Sequence, residues 1–109
     1  MYMTPEEIRE AFPDAVIERG AVIARGAEIG RGAEIGNGAW VGRGAVIGNG
    51  VVIGRGAVIE SDVQIENGAV IGRGVVIGRG AVVESSAEIE RGAWIERGAW
   101  IGVNQRGTT

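Results

Sequence analysis

A chain of 109 residues has room for one small domain and not for two. Its 21 glycines accompany only two prolines and an apolar content of 45%, which excludes a disordered chain. Every basic residue is arginine, His and Cys are absent, and the formal net charge is −3; no disulfide framework is possible, and a nucleic-acid partner, which needs a concentrated basic footprint, is not expected.

The first element in chain order is a short helix over residues 5–12. Thr4 stands at the N-cap, Pro5 suits the first helical position, and Glu7 completes a capping box. Ile8, Ala11 and Phe12 would form its apolar side, and Pro13 ends it. The opening MYMTPEEIRE is acidic and polar, unlike a signal peptide. The longest uncharged run, Gly44 to Gly54, is too short to cross a bilayer as a helix. A soluble protein with no membrane association is expected; the compartment is left open.

After a degenerate entry hexad, Ala11 to Val16, the chain repeats every six residues from Ile17 to Ile101 without interruption. The first position of each hexad is Ile or Val in all fifteen cases, from Ile17, Ile23 and Ile29 to Ile95 and Ile101. The fifth is Ala or Val in fourteen, Gln105 being the exception. The fourth is Gly in twelve, replaced by Asp62, Ser86 and Asn104.

A helix cannot use this period. Six residues advance it by about 600°, so successive leaders would point in three directions. Each glycine would also cost a helix roughly 1 kcal/mol. Collagen fails because glycine does not fall on every third position. A strand works: in Ala57-Val58-Ile59, alternation turns Ala and Ile to one side and Val to the other. Gly54-Arg55-Gly56 then bends the chain, and the fourth-position residue supplies the left-handed conformation of a sharp corner. Asp and Asn tolerate that conformation next best, and Ser86 is the least comfortable occupant. One hexad cannot bury its apolar face, but coiling stacks later hexads over earlier ones as parallel strands.

The repeat Ile-Gly-Arg-Gly-Ala-Val resembles the hexapeptide repeat of bacterial acyltransferases, nucleotide-sugar acetyltransferases and γ-class carbonic anhydrases, over about residues 11–106. The resemblance implies an all-β fold, a left-handed parallel β-helix of triangular section with three hexads per coil. Residues 18 apart would then stack in about five coils. The expected organisation is a capping helix over residues 1–12, the β-helix over 13–106 and a tail over 107–109. Handedness comes from the resemblance alone, since the general preference for right-handed parallel crossovers points the other way.

The enzymes of that family use histidine as catalytic base or as zinc ligand, and neither role can be carried to any position here. The absence of cysteine removes thiol nucleophiles and the usual structural zinc sites. The unbroken register leaves no insertion loop to build a site. No catalytic residue, metal site, cofactor or small-molecule substrate is therefore expected. Ala39-Trp40-Val41-Gly42-Arg43-Gly44-Ala45-Val46-Ile47 resembles a stretch common in acetyltransferases of the family, which would mark an inherited acyl-carrier groove. A large residue on an outward strand position accounts for Trp40 equally simply.

Glu60-Ser61-Asp62 and Glu84-Ser85-Ser86 break the Gly-Arg-Gly corners, with Glu66 stacked near Glu84. Calcium favours oxygen clusters, but too few carboxylates converge, and solvated corners are the expectation. Gly-x-Gly segments with no following helix are not phosphate loops. The corner column Arg55, Arg73 and Arg91 could attract an anion, although interspersed glutamates make a mixed soluble surface the simpler reading.

The sixth position carries the most information. One outward face reads Val22, Trp40, Val58, Val76 and Trp94, all apolar. The second reads Glu28, Val46, Gln64, Val82 and Trp100, and the third Val16, Glu34, Val52, Val70, Glu88 and Arg106. The apolar stripe is the candidate self-association face. Members of the resembling family are typically trimers, so the expected partner is the chain itself, as a homotrimer. The uniform repeat points to an idealised or designed sequence, and the expected role is a structural scaffold without catalytic activity. The alternatives are a binding module, including an ice-binding face, or a residual acyltransferase lacking its histidine. Regular threonine columns would mark an ice-binding face, and Thr occurs only at Thr4, Thr108 and Thr109.

Overall fold

A computed structural model describes residues 2–102. One helix, α1 (Pro5–Ala11), precedes fifteen two-residue strands. The first coil holds β1 (Val16–Ile17), β2 (Val22–Ile23) and β3 (Glu28–Ile29), and the second β4 (Glu34–Ile35), β5 (Trp40–Val41) and β6 (Val46–Ile47). The third holds β7 (Val52–Ile53), β8 (Val58–Ile59) and β9 (Gln64–Ile65), and the fourth β10 (Val70–Ile71), β11 (Val76–Ile77) and β12 (Val82–Val83). The fifth holds β13 (Glu88–Ile89), β14 (Trp94–Ile95) and β15 (Trp100–Ile101).

Three parallel five-stranded sheets result, in the orders β1-β4-β7-β10-β13, β2-β5-β8-β11-β14 and β3-β6-β9-β12-β15. Val16 pairs with Glu34 and Ile17 with Ile35, and Val58 pairs with Val76 and Ile59 with Ile77. Residues 18 apart therefore lie one above another, and the chain is an all-β parallel solenoid of five coils.

The ladder between coils has a polarity. The Trp40 amide donates to the Ala57 carbonyl at 2.8 Å and the Gly42 amide to Ile59 at 2.7 Å, both toward the later coil. At the corner the direction reverses, with the Gly56 amide donating to the Asn37 carbonyl at 2.9 Å. Each hexad in the body of the tube thus sends two bonds forward and one back, satisfying backbone groups that the interior could not leave unpaired.

First- and fifth-position side chains meet inside the tube. Ile23, Ile35, Val41, Ile59 and Ile77 are fully buried, as are the smaller Ala39, Ala57 and Ala81. No polar or charged residue is buried among the described residues. Three interior alanine positions carry Val instead, at Val51, Val63 and Val75, one on each side of the triangle in the third and fourth coils. Two leaders shrink to Val41 and Val83, so neighbouring volumes partly compensate.

One leader departs from the expectation. Ile17 is only half-buried, because no coil precedes it and α1 covers it incompletely. The helix also differs in detail. It spans Pro5–Ala11 with Phe12 as its C-cap rather than running through residue 12, and Ala11 faces outward while Ile8 is buried and Phe12 packs at the core's edge. The capping box forms: Glu7 N–H donates to Thr4 Oγ1 at 3.1 Å, and Thr4 N–H donates to Glu7 Oε1 at 2.9 Å. The Thr4 amide and the Arg25 guanidinium, 3.0 Å from Glu7 Oε1, hold the Glu7 carboxyl below the usual carboxylate range. The cap is further sewn on by Met3 N–H donating to the Ile23 carbonyl at 2.8 Å. The expected features at Asn104, Gln105, Arg106 and the 107–109 tail lie outside the described residues.

All described fourth-position residues have positive φ, and two of them are not glycine: Asp62 at 63° and Ser86 at 64°. A side chain in this region costs roughly 1–2 kcal/mol, against which glycine loosens the unfolded chain by about 0.4–1 kcal/mol. Ser86→Gly is therefore expected to stabilise the protein by roughly 0.5–1 kcal/mol. Thermal unfolding should show a midpoint higher by a few degrees; an unchanged or lower midpoint would contradict the strain assigned to this corner.

Candidate binding surfaces on the faces and corners

The sheet β2-β5-β8-β11-β14 presents Val22, Trp40, Val58, Val76 and Trp94 outward as one in-register column. Trp94 is 64% exposed and Trp40 44%, while Val58 and Val76 are half-buried. Period-two alternation produces this column: the residue between an inward Ala and an inward Ile or Val must point out, and branched or aromatic residues suit a flat strand there. Tyr2 stands edge-on to Trp40, ring centroids 5.9 Å apart and planes inclined at 62°. It reaches that position through an antiparallel bridge with Ala24. Sequence reading missed this contact, because Tyr2 lies outside the repeat and no spacing rule connects it to Trp40.

The corners carry the charges. Arg31 lies 3.6 Å from Asp14 and Arg79 3.9 Å from Asp62, loose pairs on well-exposed side chains that contribute little stability. Arg55, Arg73 and Arg91 stack at one corner, as the 18-residue rule requires. Glu66 and Glu84 are brought to adjacent coils, and Glu84 accepts a 2.6 Å hydrogen bond from the Trp100 indole. Among the described residues, no three Asp, Glu, His or Cys side chains gather as a metal site would need.

A second missed feature is an asparagine ladder. Asn49 Oδ1 accepts from the Arg31 amide at 2.9 Å, and Asn67 Oδ1 accepts from the Asn49 amide at 2.8 Å. The glycine beneath each amide makes room: a Cβ on Gly48 would stand 2.6 Å from Asn67 Oδ1. The 18-residue spacing of Asn49 and Asn67 was the available signal.

Two hollows border the helix and the apolar face. One, of about 800 Å3, lies between α1 and the first coil against Ile8, Phe12 and Ile17. The other, of about 350 Å3, sits where the apolar face meets its following corner, bordered by Trp40, Arg43, Glu60, Ser61 and Arg79. No described helix is long and apolar enough to cross a membrane.

A family model described as bacterial transferase hexapeptide (six repeats) matches residues 32–64, 44–79 and 56–91. No curated protein matches the sequence. Among solved structures, the chain is similar to the CcmM N-terminal domain crystallised in complex with CcmN, at 28% identity and a TM-score of 0.71, over 82% of this chain and 91% of that one. It is also similar to a UDP-N-acetylglucosamine acyltransferase from Francisella novicida, at 26% identity and a TM-score of 0.66, covering 82% of this chain but only 44% of the enzyme. A hexapeptide transferase family protein from Anaplasma phagocytophilum shares the fold at 22% identity and a TM-score of 0.65, over 86% of this chain and 68% of that one.

Proposed function

The chain belongs to the bacterial transferase hexapeptide family, and within it we propose a structural scaffold, an idealised or designed solenoid that performs no catalysis and associates with itself as a homotrimer. The observation that carries this reading is the outward column Val22, Trp40, Val58, Val76 and Trp94, apolar along its whole length and in register through five coils. Covering such a stripe removes apolar surface from water, and three identical tubes with parallel axes can each cover a neighbour's face in a closed ring. The family resemblance favours that ring over an open stack.

The non-catalytic part rests on the composition, which offers no histidine and no cysteine, and on the unbroken six-residue register. The Francisella enzyme is more than twice as long as the part this chain spans, so its activity is not carried over. The structure of CcmM with CcmN offers a precedent for a solenoid of this type engaging a protein partner.

Sedimentation equilibrium at high micromolar concentration should report a species of three chains, and Trp94→Glu should reduce it to one. A single-chain mass for the unaltered protein would discard the association. Turnover of acetyl-coenzyme A above background with a nucleotide-sugar acceptor would discard the scaffold reading in favour of a residual acyltransferase.

A further inference from the structure

The corner between β8 and β9 departs from the repeat, with Glu60-Ser61-Asp62 where neighbouring corners read Gly-Arg-Gly. It forms one border of the 350 Å3 hollow. The opposite border is aromatic: Trp40 and Tyr2 meet edge to face, leaving an angular apolar wall with Val58 beside it. We propose that this hollow binds an aryl phosphate monoester, its ring against Trp40 and Tyr2 and its phosphate between Arg43 and Arg79.

The register supplies the phosphate clamp. The third hexad position, in the middle of the corner, reads Arg43, Ser61 and Arg79 in successive coils, stacked by the pairing of β5, β8 and β11. A coil step is about 4.8 Å, so the two arginine Cα atoms stand roughly 10 Å apart. The short Ser61 side chain between them leaves a gap where a third arginine would have stood. Arg43 and Arg79 both line the hollow with Ser61, and two guanidinium groups turned toward it would suit the several oxygens of a phosphate, which arginine recognises with paired hydrogen bonds.

Both cations are available. Arg43 makes no ion pair among the described residues, and Arg79 has only its 3.9 Å approach to Asp62, with both side chains 62% exposed. Glu60 also lines the hollow, so its carboxylate must be outweighed. A dianionic monoester engaging both arginines does so better than a singly charged diester. The volume is at the small end for ligand pockets and holds one ring with its phosphate. An aromatic wall facing a cation pair is selective because each half alone binds weakly: inorganic phosphate lacks the stacking partner, and a neutral phenol lacks the clamp.

The site draws its ligand contacts from one chain, but Trp40 and Val58 also belong to the face proposed for self-association, so ligand and trimer compete for them and the single-chain Trp94→Glu form leaves the site open. Isothermal titration of the Trp94→Glu protein with phenyl phosphate, at a concentration where a single-chain mass is verified in parallel, tests it; Trp94 does not line the hollow. Phenyl phosphate is expected to saturate the protein at one per chain, at least tenfold more tightly than inorganic phosphate or phenol. Arg43→Gln, Arg79→Gln and Trp40→Leu should each weaken it tenfold or more, whereas Arg91→Gln, on another corner, should leave it unchanged. Absence of saturable binding at millimolar ligand, equal binding of inorganic phosphate, or equal losses from Arg91→Gln and Arg43→Gln would overturn the assignment.

Discussion

Ile59→Ala is expected to destabilise the solenoid by about 2–5 kcal/mol, the range for truncating a large side chain in a packed core. Ile59 is 1% exposed, and its pairing places it between Val41 below and Ile77 above, in the middle coil. The tube has no second layer that could move in to refill the lost volume, so the cavity should persist. Because each coil rests only on its neighbours, a gap in the third coil also weakens coupling between the two ends. Urea unfolding should shift to lower concentration and broaden, departing from a single cooperative step. Ile17→Ala provides the comparison. That leader is half-covered from the start, and its truncation should cost about 1 kcal/mol or less, since little apolar surface is newly exposed. Equal losses at the two positions would mean that the interior is not graded from end to centre as described.

Removing residues 1–12 is expected to convert a discrete particle into elongated, concentration-dependent assemblies. Forward donation along the ladder leaves the first coil presenting strand carbonyls, one of which, Ile23, is occupied by the Met3 amide. Along the tube the strand amides point the opposite way, as the Val82 and Glu84 amides donate to the Ala99 and Ile101 carbonyls of the following coil. The ladder is therefore polar, its carbonyls directed outward at the first coil and its strand amides directed toward later coils. Helix α1 and the Tyr2–Ala24 bridge stand over the acceptor end, as a covered edge should. Without them, Ile17, Ile23 and Ile29 lose part of their cover together with the guarding backbone contact. Light scattering and electron microscopy of the shortened chain should show rods that lengthen with concentration, absent from the full chain. A shortened chain that stays dispersed and folded would assign the cap no guarding role.

Much of this architecture was readable beforehand because a single rule, six residues per strand and corner, governs Ile17 through Ile101. The inward placement of Ala57 and Ile59, the outward placement of Val58, the stacking of residues 18 apart and the positive φ at Asp62 and Ser86 all follow from it. What escaped lies where that rule stops or where side chains fold back on the backbone. Tyr2 meets Trp40 through a bridge set up ahead of the repeat. The Ile17 exposure depends on how fully a seven-residue helix can lie over a triangular opening. The Asn49–Asn67 ladder depends on rotamers that periodicity does not encode. The outward apolar column was legible in composition and register, because flat strands favour Val and Trp at the position between two inward residues.

The spacing of the inter-coil bonds bears on how the chain reaches this shape. Every such bond joins residues 17 to 19 apart, from Val16 to Ala33 at one end to Glu84 to Ile101 at the other. The entropy lost in closing a loop rises only with the logarithm of its length, and here that length never grows. Once two turns have met, each further turn meets the same small closure cost and finds a finished template beside it. Growth should therefore proceed like a zip from whichever pair forms first, and a longer version of the tube would be slowed little by its length, unlike β-proteins whose partners lie far apart along the chain.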